Sequence, residues 1–166
     1  MLRRDREVTD PDRIAQILDE AKVVHVGLND GGYPYVVPLH YGYELANGRL
    51  VLYMHGAQKG HKLDLVRADM RVGFELDCEV QTTFDEPDLP CSYGFFYASV
   101  MGRGEISLIE DASQKVHALQ VLMEHQTGRS FQITPQMAKG ASVFRIVANT
   151  YSAKSRPLPQ TAQGSK

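Results

Sequence analysis

Apolar positions along this chain switch between two periods, and each switch marks an element. Ile14, Ile17 and Leu18 recur at helical spacing behind Asp10 and Pro11, a capping residue followed by a proline suited to the first helical position. This first helix is expected to end near Ala21. The period then falls to two. Val24, Val26 and Leu28 alternate with Val23, His25 and Gly27, and Asn29-Asp30-Gly31-Gly32 supplies a hairpin turn. The returning strand puts Tyr35, Val37, Leu39 and Tyr41 on one face and Val36, Pro38 and His40 on the other. Pro38 has no N–H for a ladder, so the strand must be an edge or bulged there. Ala46-Asn47-Gly48 turns the chain again, into a strand from Leu50 to His55.

A short helix is expected over Gln58 to Ala68, followed by clean alternation of Met70, Val72, Phe74 and Leu76. The polar, proline-containing stretch from Gln81 to Cys91 reads as a long loop. Phe95 to Leu108 is a long strand in which Gly102 and Gly104 predict a bulge or bend. Asp111 can cap a third helix with Val116, Leu119, Leu122 and Met123 as its stripe, and a last strand runs from about Ser142 to Ser152. Six strands joined mostly by tight turns, with about three helices, predict an α+β chain whose antiparallel sheet closes into a small barrel.

The length, 166 residues, suits one domain, expected over residues 1–155 with a flexible Pro/Gln/Gly/Ser-rich tail over 156–166. Eighteen basic against twenty acidic residues give a net charge of -2, which argues against nucleic acid as a partner. Cys78 and Cys91 form no CxxC pair, so neither a disulfide scaffold nor a thiolate metal site is expected. No apolar run approaches the ~20 residues of a membrane helix, and a cytoplasmic protein without membrane contact is the expectation.

The segment richest in chemistry is Tyr53-Met54-His55-Gly56-Ala57-Gln58-Lys59-Gly60-His61-Lys62. Lys59, His61 and Lys62 fall at the start of the expected helix, where the dipole disfavours cations, and an anion between them would resolve the conflict. The segment is not a nucleotide-triphosphatase loop. Gly56 and Gly60 are one residue too close for that motif, and Leu63 stands where its magnesium-binding hydroxyl belongs. Gly102-Arg103-Gly104 likewise fails as a dinucleotide fingerprint, because Ser107 replaces the third glycine and no βαβ unit is present. The pairs His55/His61 and His117/His125 lack a carboxylate at a ligand spacing, so no metal is expected. Tyr33, Tyr35, Tyr41, Tyr43 and Tyr53 could stack on a planar ligand or serve as core and interface.

Four segments in register, Pro34 to Leu39, Tyr53 to Ala57, Gly60 to Lys62 and Ser99 to Gly104, carry a resemblance over about residues 3 to 155. Together they resemble the FMN-binding split β-barrel proteins related to pyridoxamine 5′-phosphate oxidase, most nearly the nitroimidazole-resistance branch. The resemblance implies a homodimer with FMN at the interface. It places Val36, Val37, Pro38 and Leu39 beside the flavin ring, Tyr53, His55 and Ala57 at the ring and ribityl level, and Lys62 with His61 at the phosphate. Ser99, Val100 and Met101 would line the same pocket, and His55 would be the catalytic residue. It further implies reduction of a small planar aromatic compound with electrons from NAD(P)H or another reductant. Oxidases of pyridoxamine phosphate carry a basic, tryptophan-containing C-terminal segment, whereas this chain has no tryptophan and only Ser155-Arg156-Pro157-Leu158-Pro159 there. Such an oxidase, and a non-catalytic module that holds flavin or haem, are the competing readings.

Overall fold

A computed structural model describes residues 3–83, 86 and 88–157 of the chain. Seven strands are present: β1 (Glu7–Val8), β2 (Val23–Asp30), β3 (Tyr33–Ala46), β4 (Arg49–Gly56), β5 (Arg71–Thr83), β6 (Gly94–Leu108) and β7 (Ser142–Arg156). Four helices accompany them: α1 (Pro11–Glu20), α2 (His61–Ala68), α3 (Ala112–Thr127) and α4 (Pro135–Ala138). The strand order is β1-β7-β4-β3-β2-β5-β6, and β6 pairs back onto β7. Six strands thus form the expected ring. The seventh, β1, is a two-residue addition on the flank of β7, too short for periodicity to reveal. The single turn α4 escapes it for the same reason. Arg156, the expected start of the tail, closes β7, and residues 158–166 lie outside the described residues.

Two turns set the registers around the ring. Gly31 and Gly32, both at positive φ, join Asp30 to Tyr33, and Asn47 and Gly48, also both positive, join Ala46 to Arg49. Such two-residue turns match the twist of the strands they connect. The alternating apolar residues point into one core that includes Val24, Val26, Tyr41, Leu50, Leu52, Met54, Leu76, Val100, Phe144 and Ile146. Helix α1 seals one end of the barrel with Ile14, Ile17 and Leu18, its first turn capped by the Asp10 carboxylate, which accepts from the Asp12 N–H.

Helix α3 lies on the outside of β3 and β4. It buries Ala118 and Leu122, with Val116, Leu119 and Met123 only half-buried, so the contact face is narrower than the expected stripe. Gly42 explains the close fit: a Cβ there would stand 2.5 Å from the Leu122 Cα. The bulge expected near Gly102 and Gly104 falls between Arg103 and Gly104, where a Cβ on Gly104 would collide with the Val147 carbonyl.

The barrel is split on one side. Strand β3 pairs with β2 along Tyr33 to His40, but with β4 only from Tyr41 to Ala46. The first half of β3, Pro38 included, is therefore an open edge, as the missing N–H requires.

Candidate functional site

Three elements converge where β3 leaves β4. Strand β4 ends in His55 and Gly56, the chain turns through Ala57 to Gly60, and α2 begins at His61. Gly60, at φ 127°, is the residue before the helix, and no side chain caps it. Helix geometry leaves the first N–H groups of α2 without internal partners. The helix starts three residues later than expected. Lys59 accordingly lies outside its first turn, exposed, while Gln58 is tied to the Lys139 carbonyl.

The Lys62 side chain folds back over β4. A Cβ on Gly56 would stand 2.9 Å from the Lys62 Nζ, so glycine is what admits the ammonium. The ammonium lies 5.4 Å from the centre of the Phe144 ring, and burial pushes its pKa down. Among the described residues no carboxylate pairs with it. His55, exposed at the end of β4, also has no hydrogen-bond partner among them. Its pKa is lowered by loss of solvent, then by the Lys62 charge, then by His40.

The other expected residues divide between two places. Ala57 adjoins this mouth, and Val36 to Leu39 form the open edge, with Val36 and Pro38 outward and exposed and Val37 and Leu39 turned toward the core. His61 sits at the start of α2, but its Nε2 lies 2.6 Å from the Asp30 carboxylate and its ring packs edge-on against Tyr35. That imidazole is committed to the β2–β3 turn. Tyr53 lies under α3, where its hydroxyl donates to Glu44 at 2.6 Å, His117 meets the same carboxylate at 2.7 Å, and burial pushes the phenol up to about 12. Its hydroxyl is thus already used.

Ser99, Val100 and Met101 stand on β6, away from the mouth. Val100 is wholly buried in the barrel core, so only its backbone is available to a ligand. Ser99 is buried on the outer side, and Met101 is exposed in a groove of about 1260 Å³ across the outside of β2, β5, β6 and β7. Gly27, Gly73 and Gly102 help to line the groove, and Val36 and Met101 stand at its sides. His25, Glu75 and Asp77 bring donor atoms within 4.8 Å of one another at its rim. The tyrosines do not gather into one stacking cluster: Tyr41, midway along β3, is wholly buried and donates to the Leu18 carbonyl, whereas Tyr33, next to the hairpin turn, is exposed.

His40 is the site residue that reading along the sequence passes over. It precedes Tyr41 on β3 as His55 follows Met54 on β4, and it is near enough to His55 to oppose its protonation. The available signal was the Asn47-Gly48 turn, which fixes the register of the whole β3–β4 hairpin.

The family model described as pyridoxamine 5′-phosphate oxidase matches residues 10–155. The chain belongs to that family. Among solved structures, a candidate 5-nitroimidazole antibiotic resistance protein from Bacteroides thetaiotaomicron is 29% identical, with a TM-score of 0.76 over 90% of this chain and 86% of that one. The FAD and heme binding protein from Mycobacterium smegmatis is 18% identical, with a TM-score of 0.73 over 97% of this chain and 81% of that one. The flavocytochrome Anf3 from Azotobacter vinelandii is 20% identical, with a TM-score of 0.70 over 92% and 70%. The last two show the fold, the split barrel of this family. No curated protein sequence matches the chain significantly. Among the described residues, no helix is long and apolar enough to cross a membrane.

Proposed function

We propose that this chain is an FMN-dependent reductase of small planar aromatic compounds, nitroimidazole-like in shape, that works in the cytoplasm as a homodimer. The observation that carries this reading is the Lys62 ammonium, folded over Gly56 with no carboxylate to pair it, at a helix start and beside an open strand edge. A phosphate fits that cradle, because it supplies the missing countercharge and accepts from the free N–H groups of α2. The open edge of β3 offers unpaired N–H and C=O groups to the polar rim of a flat ring. The FMN, when bound, supplies the two-electron chemistry. The protein's part is to orient the ring along Val36 to Leu39, to hold the phosphate at Lys62, and to keep a proton-carrying group, His55, at the mouth.

The separation of the expected residues supports the dimer. Val36 and Met101 border the outer groove, whereas His55 and Lys62 stand at the mouth, outside it. A site shared between two copies would join the mouth of one to the groove of the other. Among the described residues no helix covers that groove, which is apolar enough to dock a second chain. The relative described by 5-nitroimidazole resistance favours the reductase over vitamin B6 oxidation. The relative named for FAD and heme binding keeps the non-catalytic module as the second reading.

The test is the absorption spectrum of the purified protein with FMN added, followed by NAD(P)H and then a nitroaromatic compound. A yellow protein that is bleached and then recoloured by the nitroaromatic is expected. A yellow protein that no reductant bleaches would favour the binding module, and a protein that takes up no FMN would refute both.

A further inference from the structure

We propose that His40 and His55 form a second recognition element at the mouth of the split, which takes a pair of acceptor oxygens, nitro or carboxylate, on the planar substrate. This rests on the flavin reading above, since it assigns Lys62 and the start of α2 to the phosphate.

The β3–β4 ladder ends with Tyr41 opposite Met54. One step outward, His40 on β3 and His55 on β4 are the next residues on strands that have begun to part. Directly opposite side chains in a regular ladder start about 5 Å apart, and beyond the last pair the two strands depart from that spacing. Beyond this point β3 continues only with β2, through Val23 opposite His40, while β4 continues with β7, through Val143 opposite His55. No strand intervenes between the two imidazoles. Both residues are exposed.

The hydrogen bonds define which nitrogens are free. His40 Nδ1 lies 3.2 Å from the Lys22 carbonyl oxygen, and since a carbonyl only accepts, Nδ1 carries the hydrogen. Nε2 of His40 is left for a ligand. His55 makes no hydrogen bond among the described residues. Two further imidazoles near the site are already used: His61 by Asp30, and His125 by the Tyr41 and Leu18 carbonyls. Among the described residues, His40, His55 and Lys62, from three elements, are therefore left with no carboxylate partner at the mouth, as is the exposed Lys59 in the turn between β4 and α2. Lys62 and the N–H groups of α2 suffice for one phosphate. The two imidazoles are left over for a second acceptor group.

The charges that bear on His55 are Lys62 from α2 and His40 from β3, and both oppose its protonation. An acceptor with negative charge between the imidazoles reverses that balance, so binding of an anionic ligand takes up a proton.

The experiment uses the FMN-loaded protein and 4-nitrobenzoate as the probe, with benzamide as its uncharged control. Affinities for probe, FMN and riboflavin are measured in wild type, His40→Gln, His55→Gln and Lys62→Ala. Each histidine substitution should weaken 4-nitrobenzoate about tenfold, the loss of one hydrogen bond to a charged group. Benzamide should not respond. His40→Gln should leave FMN affinity within about twofold, whereas Lys62→Ala weakens FMN and spares riboflavin. Calorimetry in buffers of different ionisation enthalpy should show proton uptake with the probe in wild type and none in His55→Gln. Unchanged probe affinity in both histidine variants would overturn the proposal. So would a loss of FMN but not riboflavin affinity in His40→Gln, which would assign that imidazole to the phosphate. If the protein takes up no flavin, the flavin reading fails by itself, and the same titration of the protein without FMN still decides whether the imidazoles bind the probe.

Discussion

Replacing Gly56 with alanine isolates the phosphate cradle from the rest of the fold. The added Cβ would stand 2.9 Å from the Lys62 Nζ, against an ordinary contact that begins at 3.4 Å, so the ammonium must retreat by about 0.5 Å or more. Its stem is flexible, and the movement costs the fold little. The other near atom is the Phe144 Cε2 at 3.3 Å, which needs a shift of only a few tenths of an ångström. A folding cost of about 1 kcal/mol or less follows, a fall in Tm of roughly 2–4 °C. The effect on binding is larger. A hydrogen bond to a charged group contributes about 1.5–3 kcal/mol, or roughly 10- to 150-fold in Kd. Displacing the ammonium without removing it should forfeit part of this, about 5- to 30-fold, with Lys62→Ala as the ceiling. Quenching of flavin fluorescence measures the affinity, and riboflavin, which lacks the phosphate, is the control. FMN should weaken in Gly56→Ala while riboflavin is unaffected. Equal losses for both flavins, or no loss for either, would refute the assignment of Lys62 to a phosphate.

Gly42→Ala should destabilise the protein by about 1–3 kcal/mol, because the Cβ would press on the backbone of α3 at Leu122 and the helix cannot yield as a side chain can; thermal melts would show it. Ile17→Ala should cost about 2–5 kcal/mol in chemical denaturation, since Ile17 is wholly buried where α1 seals the barrel. Glu44 is held below its ordinary value of 4.5, first by the Tyr53 hydroxyl and then by His117. Its contribution is therefore present above that value and is lost as pH falls through the depressed one; Glu44→Gln should flatten the acid side of a Tm–pH profile. Burial pushes the Cys78 thiol up to about 12 while Cys91 is exposed, so iodoacetamide at pH 8 should modify Cys91 quickly and Cys78 slowly, as peptide mapping would show.

What the residues disclosed about the fold depended on length of pattern. Strands such as β5 and β6, with many alternating positions, were legible, and so was the edge character of β3, because Pro38 removes a donor whatever surrounds it. The two-residue β1 was not, since no period exists over two positions; it forms only because β7 outruns β4 and leaves Lys154 and Ala153 with a free side. The face of α3 was misjudged for a different reason. Of its expected stripe, Leu122 is buried and Leu119 packs against Ala118, but Gly42 draws the helix so close that small Ala118 takes a central place in the contact and Val116 and Met123 stay half-buried. Val100 was assigned to a pocket by resemblance, although its own alternation with Ala98 placed it in the core.

The site divides along the same line. His55 to Lys62 lie within eight consecutive positions, and local chemistry there, basic groups around a helix start, could be read without knowing any pairing. His40 is fifteen residues from His55, and nothing in its own neighbourhood marks it. Yet its position was fixed by a short argument. Asn47 and Gly48, at φ 53° and 75°, make a two-residue turn, which puts Ala46 opposite Arg49. Each later pair steps one residue back on β3 and one forward on β4, as far as Tyr41 with Met54, and the next step along each strand is His40 and His55. A turn of any other length would have set a different partner opposite His55. The Asn-Gly pair therefore acts at a distance: it sets a backbone conformation at the hairpin tip, and its consequence is that two imidazoles come next after the last β3–β4 pair, where the barrel opens.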